Sequence, residues 1–145
     1  MHCYTTGYTI MNNEPVDSAK HFGEHVTIDG YGGEFSKLND KDFVFSFVNN
    51  MVETLEMSRL SDTIIEWADP NDKKDCGGWS AFVMIKESHI SIHTFPGKNF
   101  LSADVYTCRN GLDAQEISKI FKDSFELEEV EINFIHRGKK FLDIK

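Results

Sequence analysis

Apolar and polar positions alternate in several short stretches of this chain and recur at helical spacing in two longer ones. Residues 25–29 (HVTID) alternate as a strand and run into the glycine-rich turn Gly30-Tyr31-Gly32-Gly33. From about 40 to 57, Phe43, Phe47, Val48, Met51, Val52 and Leu55 share one helical face, and Asn39 or Asp40 is placed to cap it. Residues 63–67 (TIIEW) predict a strand, and 68–78 (ADPNDKKDCGG) a polar loop. Strands follow over 79–85, 89–95 and 102–108. Asp113 and Glu116 have capping-box spacing ahead of a helix whose apolar face is Ile117, Ile120, Phe121 and Phe125. Residues 130–135 (VEINFI) predict the last strand.

Strands joined in sequence by short turns favour an antiparallel sheet, and two amphipathic helices suffice to cover one of its faces. The predicted fold is therefore α+β, a two-layer sandwich in a single domain over 1–145. Residues 1–22 are polar and weakly patterned and are read as an N-terminal extension.

Composition narrows the function. A net charge of −9 argues against nucleic acid as a partner, since phosphate backbones require a basic surface, whereas a basic small molecule is tolerated. No run approaches the roughly 20 apolar residues needed to span a bilayer. The N-terminus has neither a basic start nor an apolar h-region, so no secretory signal is expected. Cys3, Cys76 and Cys108 form no CxxC pair, which fits free thiols in a reducing cytoplasm rather than a disulfide framework or a zinc knuckle.

The chemistry is concentrated in residues 86–108, KESHISIHTFPGKNFLSADVYTC. A serine near a histidine suggests an activated hydroxyl, and a cysteine on the neighbouring strand offers a proton or a thiolate. Spacing alone leaves hydrolase, metal site and plain sheet open. A regular strand also sends Ser88 and His93, five residues apart, to opposite faces. A bulge or a turn at Ser88 would reconcile them, and His89 is the backup candidate.

Glu87-Ser88-His89-Ile90-Ser91-Ile92-His93-Thr94-Phe95-Pro96, followed by Ala103-Asp104-Val105-Tyr106-Thr107-Cys108, resembles the self-processing core of prokaryotic S-adenosylmethionine decarboxylases. Gly23-Glu24-His25, Tyr31-Gly32, Gly78-Trp79-Ser80 and Ile135-His136-Arg137-Gly138 extend the likeness over about 23–138. The resemblance implies cleavage between Glu87 and Ser88, giving a β chain of 1–87 and an α chain starting at 88. It gives Ser88 the attack on the Glu87 carbonyl, His93 the proton transfers and Ser80 an assisting role. The ester then eliminates to dehydroalanine, which hydrolyses to a covalent pyruvoyl group. That group is needed because decarboxylation leaves electrons on Cα, and no ordinary side chain accepts them. Its ketone would condense with the substrate amine, and Cys108 would return the proton to Cα. The implied role is spermidine biosynthesis, by a cytoplasmic homodimer with its active sites at the interface and no catalytic metal.

The chain departs from the family pattern at the nucleoside end. The family reads His-Thr-Trp-Pro-Glu where this chain has His93-Thr94-Phe95-Pro96-Gly97. Phe95 can still stack on an adenine, but Gly97 cannot replace a carboxylate that holds ribose. Ungapped counting puts Lys74 where a second stacking aromatic belongs, and Trp67 or Trp79 is a substitute. Such losses would suit a smaller basic substrate, arginine or ornithine, paired with loop carboxylates among Glu66, Asp69, Asp72 and Asp75; most of these acids are expected simply to be solvated. Asp69 and Trp67 join Phe95 as expected substrate contacts.

A non-enzymatic alternative is an unprocessed regulatory homologue, but that predicts loss of Ser88, His93 or Cys108, and all three are present. His21-Phe22-Gly23-Glu24-His25 formally matches the H-x-x-E-H zinc-protease motif. That chemistry needs both histidines on one helical face, whereas Gly23 interrupts the motif and a strand starts at its end.

Overall fold

The computed structural model describes residues 10–11, 21–71 and 73–145. Its strands are β1 (Ile10–Met11), β2 (Gly23–Tyr31), β3 (Ile64–Ala68), β4 (Gly78–Ile85), β5 (Ser88–Phe95), β6 (Phe100–Thr107) and β7 (Glu129–Arg137). Its helices are α1 (Phe35–Leu38), α2 (Lys41–Thr54) and α3 (Ala114–Phe125). The strands form one sheet in the order β1-β7-β2-β6-β5-β4-β3. Every pairing is antiparallel except that of β1 with β7. The expected two-layer α+β architecture is present. The parallel edge is a difference, because two residues of the stretch read as a bare extension join the sheet; the rest of 1–20, with Cys3, lies outside the described residues, as does Asp72.

Both long helices begin where their caps predict. The Asp40 carboxylate accepts from the amides of Asp42 and Phe43, and that of Asp113 from Gln115 and Glu116, filling donors that a helix start leaves free. α2 buries Val44, Phe47, Val48, Met51 and Val52, and α3 buries Ile117, Phe121 and Phe125. Phe47 meets the rings of Phe121 and Phe125 at 4.8 Å each, which locks the helices together. Beneath them, alternate residues of each strand complete the core: Val26 and Ile28, Val83 and Ile85, Ile90 and Ile92, Leu101 and Val105, Val130 and Ile132.

Among the described residues, the same alternation leaves the other face without helices. It carries His25, Thr27 and Asp29 from β2, Ser80, Phe82 and Met84 from β4, and His89, Ser91, His93 and Phe95 from β5. Ser102, Asp104 and Tyr106 of β6 lie between them. Phe82, Met84, Ile64 and Ile135 on this face are all more than a third exposed. Gly78 starts β4 where no side chain fits, since a Cβ there would lie 1.7 Å from the Thr94 carbonyl oxygen. That close approach sets the register that places Ser80 opposite His93.

Candidate active site

The β4–β5 hairpin turns through only Lys86 and Glu87, and Ser88 resumes the sheet as the partner of Ile85 and Thr107. Ser88 has φ of 151°, outside the region that L residues ordinarily occupy. The Glu87–Ser88 peptide is thus strained on the side of the hydroxyl-bearing residue.

The turn is held from three sides. The Cys108 amide donates to the Glu87 carbonyl oxygen at 2.7 Å. The Glu87 carboxylate accepts from the Ser58 amide at 3.1 Å, and the Lys86 amide donates to the Ser58 carbonyl at 2.8 Å. An amide aimed at the carbonyl oxygen is the feature that stabilises the oxyanion formed when a nucleophile adds to that carbonyl. Cys108 therefore brings two groups to this turn, a backbone donor and a half-buried free thiol. Glu87, Ser88 and Cys108, all expected at the site, meet at this turn, whereas no local sequence signal points to Ser58.

Ser80 and His93 are also brought together. They face each other across β4 and β5, with the His93 Nδ1 and Ser80 Oγ 2.9 Å apart. The pair lies on the open face, however, and not at Ser88. β5 pairs in unbroken register with β4 from Ser88 to His93 and with β6 from Ser88 to Phe95, so no bulge relieves the five-residue offset. At about 3.3 Å per residue the two sites are roughly 16 Å apart along the strand. The bulge that would reconcile them is absent; only the turn conformation of Ser88 departs from the regular strand.

The expected substrate contacts separate in the same way. Phe95 lies two residues beyond His93 on the open face and packs on Phe100 at a centroid distance of 5.6 Å. Trp67 does not join them. It pairs in register with Trp79, the rings 5.1 Å apart, and strand alternation puts it with Ala81 on the helix-covered side. The open face of β3 instead presents Glu66, opposite Ser80. Asp69 is exposed in the loop after β3. Gly97 sits in a 3₁₀ turn where a Cβ would lie 3.3 Å from the Cys76 sulfur, so the thiol occupies the space beside it.

Between the two halves lies a polar network. Asp104 accepts from Ser91 through one oxygen, and its other oxygen contacts the Nε2 atoms of His25 at 2.6 Å and His89 at 3.2 Å. The Arg137 guanidinium reaches His25 Nδ1 at 3.0 Å and covers the Tyr106 ring at 4.7 Å. Burial pushes the Asp104 carboxyl up, but hydrogen bonds from Ser91, His25 and His89 outweigh it and hold the group below its ordinary value. Alternation puts His25, His89 and Asp104 on one face, so the network was detectable as three polar residues at open-face positions of adjacent strands. His89, whose backbone nitrogen follows Ser88, is thereby anchored by its side chain.

Three comparisons bear on this arrangement. The family model for S-adenosylmethionine decarboxylase matches residues 24–138. The S-adenosylmethionine decarboxylase proenzyme of Clostridium botulinum (strain Loch Maree / Type A3) is 32% identical over 120 residues, covering 83% of this chain and 97% of that protein. The S-adenosylmethionine decarboxylase proenzyme 2 of Bacillus cereus (strain ZK) is 30% identical over 119 residues, covering 81% and 89%. The crystal structure of the adenosylmethionine decarboxylase from Aquifex aeolicus VF5 shares the fold, with a TM-score of 0.69 at 24% identity over 82% of this chain and 92% of that one.

Proposed function

The chain belongs to the S-adenosylmethionine decarboxylase family, and on that premise we propose that it cleaves itself before Ser88 and decarboxylates S-adenosylmethionine in polyamine biosynthesis. The observation that carries the reading is the turn itself: a strained Ser88 whose preceding carbonyl already accepts an amide hydrogen bond of 2.7 Å from Cys108. The names of the relatives favour S-adenosylmethionine over arginine or ornithine.

In processing, the Ser88 hydroxyl adds to the Glu87 carbonyl carbon while a base takes its proton. The Cys108 amide steadies the oxyanion, and the C–N bond breaks to leave an ester. Loss of the Ser88 α-proton then expels the Glu87 carboxylate, and hydrolysis of the resulting dehydroalanine releases ammonia. The pyruvoyl group formed from Ser88 supplies a carbonyl that accepts the electron pair left by the departing carboxylate. The residues present fit that group, because the backbone of Cys108, whose thiol is free, is hydrogen-bonded to the turn, and His89 is fixed through Asp104 immediately after it.

The base for the first step is His93, with Ser80 as its hydrogen-bonded companion. Roughly 16 Å separate it from Ser88 of its own chain, so a second copy supplies it. A two-fold axis near Ser91, halfway along β5 between Ser88 and His93, exchanges the two ends of the strand and brings His93 of one copy toward Ser88 of the other. The half-exposed Phe82, Met84, Ile64 and Ile135 give the open face apolar area to bury in such a homodimer. Phe95, on the same strand face as His93, then reaches the substrate from the partner copy.

The test is carbon dioxide release by the purified protein, with S-adenosylmethionine, arginine and ornithine side by side, alongside the intact masses of the chains. Two chains split after residue 87 and turnover of S-adenosylmethionine are expected. Turnover of a basic amino acid alone would overturn the substrate, and a single inactive chain of full mass would overturn the activity.

A further inference from the structure

The His21-to-His25 motif is split by the fold. Glu24 and His25 are adjacent on β2 and so point to opposite faces. His25 is committed to Asp104 and Arg137 on the open face. Glu24 turns inward and is only 1% exposed. Its carboxylate accepts from the amides of Gly111 at 3.0 Å and Leu112 at 2.8 Å.

Two imidazoles converge on that carboxylate. His21, 6% exposed, places Nε2 3.4 Å from Glu24 Oε1. His136 is paired in register with Glu24 from the neighbouring strand β7, and its ring stacks on that of His21 at 4.3 Å with 14° between the planes. The Nε2 atoms of both histidines are buried and have no hydrogen-bond partner. Buried polar atoms in folded proteins are nearly always paired, so two orphans against one carboxylate mark a missing partner.

We propose that His21, Glu24 and His136 bind a zinc(II) ion in a structural site separate from the Ser88 turn. Zinc takes imidazole nitrogen and carboxylate oxygen at about 2.0–2.2 Å in a tetrahedron, which puts two donors of one ion roughly 3.3–3.6 Å apart. The His21–Glu24 distance of 3.4 Å already matches that edge, and all three donor atoms lie within 4.8 Å of one another. The rings are near-parallel, so each has to tilt for its in-plane lone pair to meet one ion.

The other two-histidine, one-carboxylate group, His25, His89 and Asp104, has similar spacing but a different proton inventory. Arg137 has no acceptor, so His25 Nδ1 accepts from it, and the ring proton sits on Nε2 facing Asp104. That nitrogen has no lone pair to give. At His21 and His136 no hydrogen bond claims Nε2, and the acceptor nearest His21 Nε2 is the Glu24 carboxylate, itself a proposed ligand. The ion would tie together the segment before β2, β2 itself and β7. Through Glu24 it would also brace the Gly111–Leu112 loop that follows Cys108. No protease chemistry follows, because His25 takes no part.

The experiment uses the full chain, free of any histidine tag and stripped with a chelator. Zinc(II) is titrated against a competing indicator, and cobalt(II) is followed by its visible d–d bands. One equivalent per chain is expected, with a zinc-dependent rise in Tm. His136→Phe and His21→Phe keep a ring in the stack but remove the nitrogen, and should weaken binding by at least about 100-fold and abolish the Tm response. His89→Asn should bind as the unmodified chain does. Failure to bind one equivalent, affinity in either Phe variant unchanged from the unmodified chain, or loss of binding in His89→Asn would overturn the site. Intact mass on the same samples reports self-cleavage at Ser88 separately.

Discussion

The Glu87–Ser88 turn and the Ser80–His93 pair occupy the same two strands, β4 and β5, yet they are held in different ways. The turn is gripped by backbone groups of its own chain, from Cys108 and Ser58, and carries the one unusual φ of β5 at Ser88. The Ser80–His93 pair is a single cross-strand contact in an unbroken stretch of sheet, on a face that no helix covers among the described residues. The first region is complete as a strained electrophile with its oxyanion donor in place. The second holds the histidine proposed as the base and its serine companion, far along β5 from the Ser88 they are proposed to serve. The difference is what motivates the proposal that one chain holds two half-sites, joined by face-to-face pairing of copies.

The comparison breaks most sharply at Ser88. Ser88→Ala leaves the electrophile without its nucleophile, so the chain should keep its full mass and release no carbon dioxide from S-adenosylmethionine; cleavage at the same bond would remove Ser88 from its role. Cys108→Ala keeps the amide that faces the Glu87 carbonyl and removes only the thiol. It should still cleave, as read by mass, while kcat falls on the order of 10²–10⁴-fold. Near-normal turnover would leave the thiol without a catalytic task. Phe82→Glu removes a ring that packs on His89 and puts a charge into the open face, while leaving Ser88, Cys108, Ser80 and His93 in place. It should shift the protein toward monomer in sedimentation and slow self-cleavage about tenfold or more, because like charges then face each other across the interface. A monomer that cleaves at the normal rate would show that one chain suffices.

The smallest effect is at Asp104. Its carboxyl is held below the ordinary value of 3.8 by Ser91, His25 and His89. A depressed carboxyl contributes stability that is present above its unfolded value and lost as the pH falls through its folded value. The acid limb of the stability profile should therefore include a loss that begins near pH 3.8 and grows below it. Asp104→Asn should lack that component, so its Tm should depend less on pH from about 4 downward. Parallel Tm profiles for the two proteins would mean that the network does not bind the proton-free form of Asp104.

Much of this was legible in the chain. The helices were readable because Asp40 and Asp113 cap apolar faces of helical period, and the inner strands because their alternation matches a sheet covered on one side. The offset of Ser88 from His93 was visible as the odd number five in a period-two element. The parallel pairing of Ile10–Met11 was not, since two residues carry no period. The short helix Phe35–Leu38 was equally silent, being too brief to show a face. At the site, Trp67 was expected near the substrate by residue type, but strand parity assigns it to the helix-covered side with Trp79. Ser58 and the amide of Cys108 act through the backbone, which side-chain chemistry does not announce. His136 was readable only as part of a closing strand, because its meeting with His21 and Glu24 depends on the register of β2 and β7.

The most direct test of the two half-sites is co-expression of a Ser88→Ala chain with a His93→Ala chain, each carrying a different tag, followed by intact mass analysis of the doubly tagged complex. Neither chain cleaves alone on this account. In the mixed pair the His93→Ala chain should be cut after residue 87, since it holds Ser88 and its partner supplies His93, while the Ser88→Ala chain stays whole. A mixed complex in which both chains keep full mass, or cleavage of the His93→Ala chain on its own, would contradict it.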